Sequence, residues 1–217
     1  MRTWLKIIIY FILTITLLFA GVVFFTQTQI FKNWLKNKIV TEVNKNLNAS
    51  LSVGKIQGNL LTHFQISDIS LISTSTDTIA QSDGISLPDT ILTLPELTIN
   101  FSPARLLNKE IVIKLVELNS LHFRLRQMPD SSWNVEHFVI SKPDTLAQAP
   151  EPSQPMKWRI ALNNMKLKDA RFDFIPLRES PFIPQRIENI NTQASLVFDR
   201  KGVEVDLKNF RLLAQNP

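Results

Sequence analysis

The chain of 217 residues contains no cysteine and only five glycines, three histidines and one tyrosine. The first absence removes disulfide scaffolds and any chemistry built on a thiolate. Sparse glycine excludes a phosphate-cradling loop: Gly54 and Gly58 are the closest pair, and no Rossmann fingerprint, P-loop or nucleophile elbow surrounds them. His63, His122 and His137 are scattered without partners at metal-ligand spacing, and His122, between Leu121 and Phe123, reads as a strand residue on a wet face. Acidic residues such as Asp68 and Asp130 suit a solvated surface. No catalytic residue, metal site or cofactor is assigned, and the chain is read as a non-enzyme.

Acid is also nearly missing from the first 48 residues, where Arg2, Lys6, Lys32, Lys36, Lys38 and Lys45 face Glu42 alone. The remainder holds eighteen residues of each sign, so the basic excess is confined to the N-terminus. A nucleic-acid partner would need a basic face on the folded body, and none is expected. Anionic lipid head groups are the simpler partner.

What is present begins with nineteen uncharged residues, Ile7 to Phe25. At 1.5 Å per residue they make a helix of roughly 28 Å, close to the hydrocarbon thickness of a bilayer. A cleaved signal peptide would have a shorter apolar region ending in a small-x-small site, whereas Leu18-Phe19-Ala20 puts leucine at the first small position and Val22 to Phe25 continue the run. A retained anchor over residues 1–26 is therefore preferred. Arg2 and Lys6 before it favour a cytoplasmic N-terminus, although Lys32, Lys36 and Lys38 follow it.

Residues 27–48 read as an amphipathic helix whose apolar face changes side. Ile30, Phe31, Trp34 and Leu35 lie opposite Lys32 and Lys36, so Lys32, Trp34 and Lys36 are expected at the membrane surface. Ile39, Val40, Val43 and Leu47 fall on the reverse side and are expected to cap the start of a sheet.

After Asn48 the period changes from near four to two. Apolar residues alternate through Leu51 and Val53, through Phe64 and Ile66, through Leu97, Ile99 and Phe101, and through Leu121, Phe123 and Leu125. Trp158, Ile160 and Leu162, then Ala170, Phe172 and Phe174, then Ala194, Leu196 and Phe198, then Val203, Val205 and Leu207 repeat the pattern. Ile111 to Leu118 is apolar on both sides and is expected nearer the centre of the sheet. Only Pro103 to Asn108 offers a turn of helix between strands, so the apolar faces need another sheet, a copy of themselves or a non-protein ligand. Proline breaks the pattern in 141–156 and again from Ile175 to Pro184. The expected organisation is an anchor at 1–26, a helix at 27–48, a β-segment at 49–140, a Pro-rich linker at 141–156 and a second β-segment at 157–217 that looks cut short.

The phrase Val53-Gly54-Lys55-Ile56-Gln57-Gly58-Asn59-Leu60-Leu61, running into Phe64 to Leu71 after an anchor and a helix, resembles the opening of the TamB and AsmA-like proteins of the bacterial envelope. A second phrase supports the likeness: Leu97 to Phe101, Ala104-Arg105-Leu106-Leu107, Ile111-Val112-Ile113, Leu121 to Leu125, and the loop Asp130-Ser131-Ser132-Trp133-Asn134-Val135. Serine stands at Ser131 or Ser132 where that loop usually has glycine, and the long C-terminal part of TamB is absent.

The resemblance implies a mainly β fold, with the two N-terminal helices followed by a curved, elongated, antiparallel-rich sheet whose apolar face forms a groove. It implies a single-pass inner-membrane protein with a periplasmic body that works in phospholipid transport and outer-membrane biogenesis. Membrane lipid is the implied partner, with an outer-membrane barrel protein as a second. The expected groove lining is Leu97, Ile99, Phe101, Leu121, Phe123, Leu125, Trp158, Ile160, Leu162, Phe172, Phe174, Leu196 and Phe198, with Lys114, Arg124, Arg126 and Asp173 on the wet face. The alternative is an anchored assembly module that offers sheet edges to a partner without conducting lipid.

Overall fold

The computed structural model describes residues 2–73, 90–128, 130–136, 158–178, 184–199 and 202–215. The Pro-rich stretch 141–156 and His137 lie outside the described residues. Helix α1, Arg2–Gln27, contains an apolar span from Lys6 to Gln27 with mean hydropathy 2.7, none of which is buried against the rest of the protein. Such a helix fits a membrane anchor. Within it, Thr14 and Thr16 donate their hydroxyls to the carbonyls of Tyr10 and Ile12. Thr28 interrupts the helix in an extended conformation, and its side-chain oxygen accepts from the Phe31 N–H at 3.3 Å to start helix α2, Gln29–Asn46.

The strands β1 (Ala49–Ser52), β2 (Ile56–Asn59), β3 (His63–Ser73), β4 (Thr90–Phe101), β5 (Glu110–Asn119), β6 (His122–Arg126), β7 (Arg159–Ile175), β8 (Arg186–Asp199) and β9 (Gly202–Gln215) form one mixed sheet among the described residues. Its order is β1-β3-β4-β5-β7-β8-β9, with β2 continuing β1 along β3 and β6 continuing β5 between β4 and β7. Neighbours are antiparallel except that β7 runs parallel to β5 and β6. The strands on either side of the Pro-rich stretch thus belong to the same sheet.

Helix α2 lies antiparallel along the β1–β2 edge. The contacts run in opposite chain order: Lys32 Nζ donates to Gly58 O at 2.6 Å, Lys36 Nζ to Gly54 O at 3.2 Å, and Asn44 Oδ1 accepts from Leu51 N at 2.7 Å. Glycine is required at both acceptor positions. Gly58 has φ +84°, and a Cβ on Gly54 would stand 2.8 Å from Ser67 O.

A row of left-handed residues crosses the sheet: Asp68 in β3, Ser120 between β5 and β6, Asp169 in β7 and Asn189 in β8, with Pro95 at the same level of β4. Each inserts one residue into the alternation. Pairing passes from Ser67↔Glu96 to Ile69↔Leu94 without losing step, because both strands carry the insertion. Apolar positions on one face therefore continue as Ile66 then Ile69, Leu97 then Leu94, Leu118 then Leu121, and Leu167 then Ala170.

Few residues are fully enclosed. The buried apolar side chains are Ala49, Ile56, Ile91, Leu94, Val112, Met128, Ala161 and Ala170. Among the described residues, the elements beside the sheet are α2 on one edge and a 3-10 turn, Pro103–Asn108, next to β5. No second layer lies over its face among them.

Candidate functional site

Residues paired across a sheet project to the same face, so the register lays out the apolar rows. Ile111, Ile160, Phe198 and Val203 form one row. Phe101, Ile113, Leu162, Leu196 and Val205 form the next. Phe64, Ile99, Val116, Met165, Ala194 and Leu207 follow, and then Ile66, Leu97, Leu118 and Leu167. Beyond the left-handed row come Leu71, Leu92, Phe123, Phe172 and Ile187, and finally Leu125 with Phe174.

Aromatic contacts extend along the far part of this face. Phe123 stacks on Phe172 with centroids 5.5 Å apart, and Trp133 lies on Phe174 at 4.9 Å. The loop that carries Trp133 is held by Asn134, which is buried, donates its N–H to Arg126 O at 2.9 Å and accepts from Arg126 N at 3.1 Å. The rows themselves are half-buried: Leu97, Ile99, Phe101, Leu121, Phe123, Leu125, Ile160, Leu162, Phe172, Phe174, Leu196 and Phe198 keep part of their surface in water. Trp158, just before β7, is 40% exposed.

The opposite face carries one apolar row, Val112, Ala161 and Val197, near the start of β7 and is otherwise mostly polar and cross-linked by charge. Asp173, paired with Arg124 in the adjacent strand, is only 6% exposed. Arg171 reaches its two carboxylate oxygens at 2.9 Å each, His122 Nε2 lies 2.8 Å away and Arg186 Nε 3.2 Å away. Burial by itself would raise this carboxyl, but the hydrogen bonds from Arg171, His122 and Arg186 outweigh it and hold the pKa down to about 2. Lys168 likewise binds Glu117 at 2.7 Å and lowers its pKa. This arrangement can bind apolar surface on one face while the other stays hydrated, and among the described residues no group of His, Asp and Glu is placed to hold a metal.

A family model described as the AsmA family matches residues 1–200. The chain belongs to the AsmA family. Comparison with curated proteins and with solved structures gives no match.

In this AsmA-family chain the register brings the expected lining residues together. Phe101, Leu162 and Leu196 share a row, Ile160 and Phe198 another, Phe123 and Phe172 a third, and Leu125 and Phe174 a fourth. Leu118, Val116 and Ile113 complete the rows through β5, whose apolar character on both sides was the available signal. Trp133 joins from a loop and carried no periodic signal. The expected membrane-surface residues divide: Trp34 is 57% exposed and packs on Phe31, whereas Lys32, at 8% exposure, turns inward to Gly58 and Lys36 turns to Gly54. The first half of α2 therefore docks on the sheet edge as well as the second, because two backbone carbonyls offer the ammonium groups fixed acceptors. Asp173 likewise sits inside its face, enclosed by its cationic neighbours, rather than in open solvent.

Proposed function

We propose that this AsmA-family chain is a single-pass inner-membrane protein, N-terminus in the cytoplasm and body in the periplasm, that carries phospholipid acyl chains along its apolar sheet face toward the outer membrane. The observation that supports this reading is the set of contiguous half-exposed apolar rows with no covering layer among the described residues. Each methylene exposed to water costs roughly 0.8 kcal/mol, so a bare acyl chain crossing an aqueous gap meets a barrier on the order of 10 kcal/mol. Apolar rows that continue past the left-handed residues would remove most of it. Because burial has no preferred direction, a chain can slide from row to row without a fixed site.

The test is site-specific photocrosslinking in membranes. A probe at Phe123 captures phospholipid and one at Arg124, on the opposite face, does not; equal capture at the two positions sinks the reading. A second reading is favoured by β9, an edge strand whose Val203, Val205 and Leu207 are more than half exposed. An assembly module acting through this edge would lose function on a proline in β9 and tolerate a charge at Phe123. The lipid-carrying reading expects the reverse.

A further inference from the structure

One end of the sheet is tied to the end of the membrane span. Leu60, in the β2–β3 turn, donates its N–H to the side-chain oxygen of Gln27, the last residue of α1, at 3.2 Å. In the same turn Thr62 O accepts from Phe101 N at 2.7 Å, and from Phe101 the chain enters the 3-10 turn Pro103–Asn108 within two residues. Leu107 of that turn is 89% exposed and Leu106 is also exposed. Immediately after it, Lys109 O accepts from Arg159 N at 3.1 Å, which brings exposed Trp158 to the same rim. Arg105, Lys109 and Arg159 are close neighbours of these residues in the chain, and Glu110 bridges Arg105 and Arg159 loosely at 3.5 and 3.7 Å.

Exposed leucines beside a tryptophan and an excess of cations have the composition of a surface that rests in a bilayer interface. A folded turn of six residues gains nothing from holding a leucine almost wholly in water. The occupant that fits is the bilayer itself, because the rim lies at the end of the sheet from which α1 departs and its cations complement anionic head groups. We propose that the rim formed by Leu106, Leu107 and Trp158, flanked by Arg105, Lys109 and Arg159, sits in the head-group layer of the membrane that holds α1. The apolar rows then begin at lipid rather than at water, since Ile111 and Ile160 open the first row directly above this rim. The inference rests on α1 being the anchor of the proposed function.

The absence of cysteine allows a single environment-sensitive label in the full chain. Leu107→Cys, Phe11→Cys within α1 and Leu177→Cys at the opposite end of the sheet are reconstituted in phosphatidylethanolamine and phosphatidylglycerol vesicles containing nitroxide-labelled lipid. The Leu107 label is expected to lose emission to nitroxide lipid and to be shielded from aqueous iodide, as at Phe11, whereas the Leu177 label shows the reverse. The proposal is overturned if the Leu107 label is quenched by iodide like that at Leu177. It is equally overturned if that label is shielded from iodide but untouched by nitroxide lipid, which would mean protein covers it. A Phe11 label outside the bilayer removes the anchor and the rim together. Lipid capture at Phe123 with Leu107 in water removes the rim alone and leaves the lipid-carrying reading standing.

Discussion

At the scale of single residues, the two glycines of the Val53–Leu61 phrase have a mechanical reason to be glycine. Gly58 takes a left-handed φ at which a Cβ would stand 2.5 Å from His63 O, and the Gly54 site is closed by Ser67 and Asp68. Their carbonyls are the acceptors for Lys32 and Lys36, so shifting either backbone also loosens α2. Gly58→Ala is expected to cost about 1–3 kcal/mol and to lower the thermal midpoint in detergent, with Gly21→Ala, where a Cβ meets nothing within 4 Å, close to neutral. Asp173 supplies a second test, in pH. Its carboxyl lies below the ordinary 3.8, at about 2, so its stabilising contribution is complete above the ordinary carboxylate range and is lost as pH falls from about 4 toward 2. That difference corresponds to about 2 kcal/mol. Asp173→Asn should unfold at lower temperature than the parent at pH 7, and the gap should close on titration to pH 2. A gap independent of pH would mean that the charge cluster contributes nothing through ionisation.

At the scale of elements, the left-handed row decides how much of the sheet can be read from the chain. Strand β7 shows the problem: Trp158, Ile160 and Leu162 lie on even positions, Met165 and Leu167 on odd ones, and Ala170, Phe172 and Phe174 on even ones again. Strict alternation breaks the 17-residue strand into separate pieces, although each switch is one extra residue that lets the apolar face continue, the first in a register shift between Leu162 and Met165 and the second at left-handed Asp169. The helix boundaries near Gln27 and Asn46, the 3-10 turn at Pro103–Asn108 and the alternate apolar positions were legible, because propensity and period are local. The parallel pairing of β7 with β5 and β6 was not, since no local signal tells a strand which distant neighbour it will take. Nor were the inward turns of Lys32 and Lys36, which depend on the carbonyls of Gly58 and Gly54, 26 and 18 residues further along the chain. The row is open to direct test. Asp169→Val and Asn189→Val place β-branched side chains at φ 51° and 53° and should each cost about 1–3 kcal/mol, read as a lower urea midpoint. Asp169→Gly and Asn189→Gly, which accept that conformation freely, should not. If valine and glycine behave alike, the row is not where the alternation is held.

At the scale of the whole molecule, a face that works by area has no single indispensable residue. Truncating one side chain removes one part of an extended surface, whereas a charge set across a complete row must be desolvated by any acyl chain that passes. Phe123→Ala should therefore leave the phospholipid recovered with the purified protein nearly unchanged. Replacing Phe101, Leu162 and Leu196 together by glutamate puts three carboxylates across one row. Moving even a neutral polar group into an apolar setting without a partner costs roughly 2–7 kcal/mol, and a charge costs more. Because all three positions are half-buried on an uncovered face, the carboxylates can stay hydrated while no lipid is bound, so the fold should survive the change. Circular dichroism would confirm that, and organic extraction with mass spectrometry would give lipid per protein. The triple variant is expected to lose most of its lipid, while Val205→Pro in the edge strand β9 should retain it. Undiminished lipid on a folded triple variant would place the acyl chains elsewhere, and loss on the proline variant alone would turn the argument toward the sheet edge.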